Sequence, residues 1–160
     1  MSTESKDLLT QALGQWMRTS IHFSMRNMHI YAKNRGISVG QLNLMFRMRK
    51  HGARSVGEVS KMLDISKPAA SQLLDKLVQA DYLFREESKI DRRIKMHNLT
   101  SRGEECTQTF FDRIKEYNKE LVDFCDPEEH ELMTSILVKL TDKLQGLPNK
   151  EYPKEDKCLN

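Results

Sequence analysis

The densest chemistry in the sequence is the run KIDRRIK, where Lys89, Arg92, Arg93 and Lys95 surround a single acid, Asp91. The run lies inside LFREESKIDRRIKMHNLTSRG, Leu83 to Gly103, whose two arms alternate like strands around a polar tip. A hairpin standing alone is marginally stable in water, so the charge gathered on this one asks for a reason beyond folding. Arginine and lysine on a protruding tip suit a polyanion, and a narrow minor groove draws such side chains by its negative potential. Asp91 precedes Arg93 by two residues and is expected to hold that guanidinium in a fixed direction through a paired, charge-assisted hydrogen bond.

A second set lies just upstream, in Ser66, Lys67, Ala69, Ser71, Gln72 and Lys76. On a helix capped by Ser66, burying Ala70, Leu73 and Leu77 leaves Ala69, Gln72 and Lys76 on the opposite side, with Lys67 and Ser71 flanking. Glutamine can contact adenine through two hydrogen bonds, and alanine can touch a thymine methyl. Ser66 and the free N–H groups of the helix start suit a phosphate. Most short helices with a polar outer face are merely solvated, so this set gains meaning from the basic finger that follows it.

Other chemistries are thinly represented. The sequence has no glycine-rich phosphate loop, nucleophile elbow or H-E-x-x-H; no enzyme activity, metal or other cofactor is expected. His22 and His29 could share a helix face, but a rise of ~1.5 Å per residue separates them by about 10 Å, too far for one ion. Cys106, Cys125 and Cys158 are odd in number and at no metal spacing, which fits a reducing cytoplasm. If Cys106 and Cys125 share one helix, roughly 28 Å of rise prevents their pairing.

Composition sets the frame for these clusters. The chain has 160 residues, 38% hydrophobic and 31% charged. That balance fits one helical domain with solvated faces, which completes its core by pairing with a second copy. No apolar run approaches the ~18 residues of a membrane span, and no membrane partner is expected. The start, MSTESKDLLT, is polar and does not read as a secretory signal. Net charge is only +3, yet residues 1–103 carry 18 Lys/Arg against 9 Asp/Glu, and the remainder 8 against 14. A basic part joined to an acidic part points to one surface for a polyanion and another for something else.

The elements that must position the two sets follow from periodicity and caps. Leu9, Trp16, Phe23 and Ile30 recur every seven residues on a helix over 7–34, a sparse stripe suited to a two-chain seam and ended by Gly36. Ser38 with Gln41, and Ser55 with Glu58, have capping-box spacing for two further helices, the first of them stopped by Gly52. The Ser66 helix then follows the short Ser55 helix after a brief turn, as in a helix-turn-helix. After the finger, Ser101 is expected to cap a helix from about Arg102 to Cys125. Asp126-Pro127 starts a last helix to about Leu144, with Leu132, Ile136, Leu140 and Leu144 on one face. The expected organisation is a dimerisation helix over 1–36, a DNA-binding lobe over 37–100, dimerisation helices over 101–147 and a flexible tail over 148–160.

With these elements in order, DRRIKMHNLTSRG resembles the wing signature of MarR-type transcription regulators: a D-x-R at the tip, then L-T-x-x-G opening the next helix. LDISKPAASQLLDKLVQADYL is similar to their recognition helix, and ISVGQLNLM to the entry of their second helix. Asp81 departs from the pattern, which usually has glycine after the recognition helix. The resemblance implies a mostly α fold of six helices with a small β-wing, a winged helix-turn-helix that dimerises through its N- and C-terminal helices. It implies a homodimer on a pseudo-palindrome in double-stranded DNA, with repression the expected outcome. Leu9, Trp16, Phe23, Leu132, Ile136, Leu140 and Leu144 would form the dimer interface. The resemblance also implies a small aromatic or anionic effector, for which Trp16, Met17, Met45, Met48 and Phe110 are candidate lining residues, with Arg18 or Arg26 near its charge. Two alternatives stay open: a winged-helix protein-interaction module that binds no DNA, and a regulator that senses oxidants through cysteine.

Overall fold

The computed structural model describes residues 3–88 and 90–148. Six helices and three short strands run in the order α1 (Thr3–Lys33), α2 (Val39–His51), β1 (Arg54–Ser55), α3 (Val56–Leu63), α4 (Lys67–Gln79), β2 (Leu83–Glu87), β3 (Lys95–Leu99), α5 (Ser101–Val122) and α6 (Pro127–Gln145). They form two compact units, one reaching Ile114 and the other starting at Lys115. Lys89, Cys158 and the expected tail beyond Pro148 lie outside the described residues.

The first unit holds the core. Leu42, Leu44, Met45 and Met48 of α2 meet Val59 of α3, Ala70, Leu74 and Leu77 of α4, and Leu83 and Leu99 of the sheet. Each fully buried Leu or Met removes enough apolar surface from water to contribute ~1.5–3 kcal/mol, so these positions dominate the stability of the lobe. Helix α1 reaches this core only at its end, where Tyr31 and Ala32 are buried. The Tyr31 hydroxyl donates to the Cys106 carbonyl at 2.7 Å, tying α1 to α5. Burial pushes its pKa up to about 12, with Cys106 adding to the shift. Arg49 fastens α2 to α5 by donating to the Glu104 carbonyl and the Thr107 hydroxyl, each at 2.9 Å, and to Gln108.

Strand β3 is the centre of the sheet. It pairs antiparallel with β2, Leu83 opposite Leu99 and Glu87 opposite Lys95. On its other side it pairs with the two-residue β1, which sets Arg54 opposite His97. That third strand has no alternating pattern to announce it, and sequence reading assigns Ser55 only as a cap.

Local signals account for most element ends. Both expected capping boxes form, Ser38 with Gln41 and Ser55 with Glu58. Helices α1, α3 and α4 each end with a residue of positive φ, namely Gly36 at 67°, Asp64 at 51° and Asp81 at 59°. After α4 the Tyr82 N–H reaches the Leu77 carbonyl at 2.9 Å and the Asp81 N–H the Val78 carbonyl at 3.0 Å, the paired bonds of a Schellman end. Asp81 thus adopts the left-handed turn that glycine would take more cheaply.

The start of α5 differs from the expectation. The capping residue is Thr100, not Ser101: its hydroxyl accepts the Gly103 N–H at 3.1 Å and donates to the Asp81 carbonyl at 2.7 Å. One hydroxyl therefore caps the helix and pins the root of β2, because Thr100 is the residue outside the first turn while Ser101 is already in it.

In the second unit α6 carries Leu132, Ile136, Leu140 and Leu144, all exposed, and no residue of the helix is buried. On α1, Leu9, Trp16, Phe23 and Ile30 are exposed as well. The stripes that sequence periodicity identifies are helical faces that stay exposed among the described residues.

Candidate nucleic-acid interface

Helix α3 is set by its cap. The Ser55 N–H and hydroxyl both bond the Glu58 carboxylate, at 2.7 and 2.8 Å, and hold its carboxyl below the ordinary value. A left-handed Asp64 then turns the chain, and the Ser60 hydroxyl closes the turn on the Ile65 carbonyl at 2.6 Å. Ser66 accepts the Ala69 N–H at 3.3 Å, and Pro68 occupies the first turn of α4, where it has no N–H to lose.

Burial divides α4 as its periodicity requires. Ala70, Leu74 and Leu77 are buried, Leu73 only half-buried, and Lys67, Ala69, Gln72 and Lys76 exposed. Ala69, Gln72 and Lys76 share one shallow concavity with Ser38 and Gln41 at the start of α2. Ser71 turns to the other flank, into a cavity beside Asp75 and Arg85. The outward set is thus brought together, with Ser71 on its edge.

The described residues of the wing tip are joined by hydrogen bonds. The Ser88 N–H bonds the Ile94 carbonyl at 3.0 Å, and the Ser88 hydroxyl accepts the N–H groups of Ile90 and Asp91 at 3.3 and 3.4 Å. Asp91 differs from its expected role. Its carboxylate accepts the backbone N–H of Arg93 at 2.9 Å and makes no ion pair with the guanidinium. The short acid shapes the turn, as an aspartate two residues before an N–H commonly does. Ile90, Arg92 and Arg93 are exposed. Lys95 is paired with Glu87 at 2.8 Å across the hairpin, which holds that carboxyl below its ordinary value. Among the described residues Lys67, Lys76, Arg92 and Arg93 enter no ion pair.

Sequence reading missed a contact joining the two sets: Arg85 of β2 bonds Asp75 of α4. No spacing rule reveals it, since the partners belong to different elements and meet only after the chain has turned through Asp81.

The candidate effector residues fall in two settings. Met45, Met48 and Phe110 are buried in the core, whereas Trp16, at 56% exposed, and Met17 stand on the open face of α1. An open concavity of about 430 Å³ in the lobe is lined by Phe46 and Phe111 with Arg47, Arg49, Lys50 and His51. Cys106 is buried and its thiol pushed up by that burial, the opposite of what an oxidant-reactive thiolate needs.

A three-helix reader with an outward polar face, followed by a basic two-stranded wing, defines a winged helix-turn-helix protein. Residues 35–94 match the sequence model of the MarR family. The chain is 25% identical over 114 residues to the HTH-type transcriptional regulator YhbI of Bacillus subtilis, a match covering 71% of this chain and 74% of the relative. It is 26% identical over 72 residues to the HTH-type transcriptional repressor MdtR of the same organism, covering 45% and 46%. The Staphylococcus aureus MepR–DNA complex contains the same fold, with a TM-score of 0.66 at 23% identity over 82% of this chain and 99% of that one. Among the described residues no helix is long and apolar enough to cross a membrane.

Proposed function

We propose that this protein is a sequence-specific transcriptional regulator that binds double-stranded DNA as a homodimer. The observation that carries the reading is the exposed set Lys67, Gln72 and Lys76 on α4, which enters no ion pair among the described residues and shares one lobe with the exposed Arg92 and Arg93 of the wing. Two α4 helices enter successive major grooves of a pseudo-palindrome about one turn apart. Gln72 and Ala69 read base edges, while Ser66, Lys67, Ser71 and Lys76 hold the backbone. Arg92 and Arg93 follow the neighbouring minor groove, with Lys89 and Lys95 adding to the field around them.

The dimer forms through the exposed stripes of α1 and α6, and the protein works in the cytoplasm without catalysing a reaction. Occupying a promoter makes repression the direct consequence, in keeping with the repressor among its relatives. A small aromatic or anionic effector would release the DNA from the Phe46–Phe111 concavity, where two rings lie 5.0 Å apart beside basic side chains. The test is binding to genomic DNA fragments across a salt series. A regulator yields a discrete set of fragments and a steep loss of affinity with salt. A protein-interaction module yields neither.

A further inference from the structure

His97, on the central strand of the sheet, is an ionisable side chain only 2% exposed. Both ring nitrogens are engaged. Arg85 of β2 donates its Nε–H to Nε2 at 3.4 Å, and Nδ1 faces the Arg54 carbonyl of β1, also at 3.4 Å. The two contacts are satisfied together by one species, the neutral imidazole with its proton on Nδ1. Arg85 in turn bonds Asp75 of α4. The chain of contacts runs from β1 through the buried ring to the wing strand and on to the recognition helix.

The Arg85–Asp75 pair by itself is nearly half exposed, and pairs of that kind contribute only ~0–1 kcal/mol. What gives the guanidinium a direction is the buried acceptor behind it. A second proton on His97 would sit on Nε2 and point at the Arg85 Nε–H, setting donor against donor and cation against cation. The other groups here pull both ways. The Arg54 carbonyl and Asp75 favour the imidazolium, burial and Arg85 oppose it, and Glu86, Glu87 and Lys95 line the same cavity, Glu87 and Lys95 neutralising each other.

We propose that His97 is a positioning residue for DNA engagement, whose neutral ring fixes the angle between recognition helix and wing through Arg85 and Asp75. This rests on the DNA-binding function proposed above. Burial, the largest influence, holds the imidazole below its ordinary value of 6.5. For a depressed histidine the tie is present above the ordinary value and lost as pH falls through the lower, folded one. Its sign is diagnostic. Acidification also charges exposed histidines, and added positive charge by itself strengthens binding to DNA; a loss of affinity in acid runs against that general attraction.

The experiment uses the full chain and a duplex selected from a random pool on the wild-type protein at about pH 8, with affinities compared at about pH 8 and about pH 5.5 at constant salt. Wild type should lose affinity in acid by at most about tenfold, the ceiling that a folded value below 6.5 sets at about pH 5.5. His97→Gln, which keeps an acceptor and a donor but does not titrate, should show no such loss. In the wild-type protein without DNA, the amide resonances of Ser71, Asp75 and Arg85 should move with the same midpoint as the His97 ring. An equal acid loss in both proteins, or α4 amides indifferent to the ring, would overturn the proposal. Failure to select any duplex would overturn the DNA reading and the positioning role with it, while the amide titration still reports whether the tie itself exists.

Discussion

Helices α4 and α6 are both amphipathic, yet their apolar faces meet different fates. The 13 residues of α4 bury Ala70, Leu74 and Leu77 within the chain, while the 19 of α6 bury none. The winged-helix lobe completes its own core, and the outward face of α4 is polar and exposed. Among the described residues the apolar face of α6 stays exposed, which is costly in water unless a second copy supplies the cover. One helix is shaped by what lies beneath it, the other by what is brought to it.

The largest effect should come from breaking the self-sufficient side. A Cβ on Gly103 would stand 2.3 Å from the Tyr82 carbonyl oxygen and 2.9 Å from a Leu99 methyl. Gly103→Ala should destabilise the lobe by about 3 kcal/mol, since neither strand backbone nor helix can yield without disturbing the Thr100 cap. Denaturant unfolding at fixed protein concentration measures it. A change under half of that size would mean the wing root is softer than its packing implies.

The dependent side breaks differently. Ile136→Asp should leave the lobe folded and weaken the dimer by about 2 kcal/mol per chain, through loss of a buried apolar side chain and desolvation of a charge. Sedimentation velocity over a dilution series should show monomers where the wild type is dimeric. An unchanged dimer would move the seam away from α6.

Within α4 the contrast sharpens at single residues. Gln72→Ala should cost about 1–3 kcal/mol at one base pair per half-site and little on other sequences. Lys76→Ala should weaken all duplexes alike and reduce the salt slope by about one per half-site. Binding to a panel of single-base variants separates them, and equal losses across the panel for Gln72→Ala would remove its role as a reader.

The smallest effect concerns the tip. Asp91→Asn keeps an oxygen for the Arg93 N–H and removes a negative charge, so it should bind DNA a little more tightly, by about 0.5 kcal/mol. Asp91→Ala removes both and should bind more weakly than Asp91→Asn. If the two bind alike, the turn bond has no part in aiming Arg93.

Legibility in the sequence followed the range of the physics. Capping boxes, the Pro68 start and the outward set of α4 were readable because each is settled within one or two turns of chain. The Thr100 cap was misassigned by one residue, since two hydroxyls stand side by side and only the backbone path tells which lies outside the helix. The Asp91 bond was anticipated to the wrong atom of the right residue. Beyond that range reading failed. Met45 and Met48 were expected at an opening and are core, because an apolar residue on α2 carries no mark of whether its neighbour is protein or ligand. His97 and Arg85 gave no signal at all, their meeting with Arg54 and Asp75 being a product of strand register.

The double duty of Thr100, together with the contact of Gly103 on Tyr82, has a mechanical consequence. The first turn of α5 and the root of the wing form a joint without play: Thr100 is bonded on both sides, and the space where a side chain would act as a spacer is filled by a carbonyl. A tilt of this turn is therefore delivered to β2 as a rotation instead of being absorbed in a loop, so the wing points wherever α5 is steered. Amide exchange at Thr100 and Gly103 as slow as that of the core strands is the signature of such a coupling.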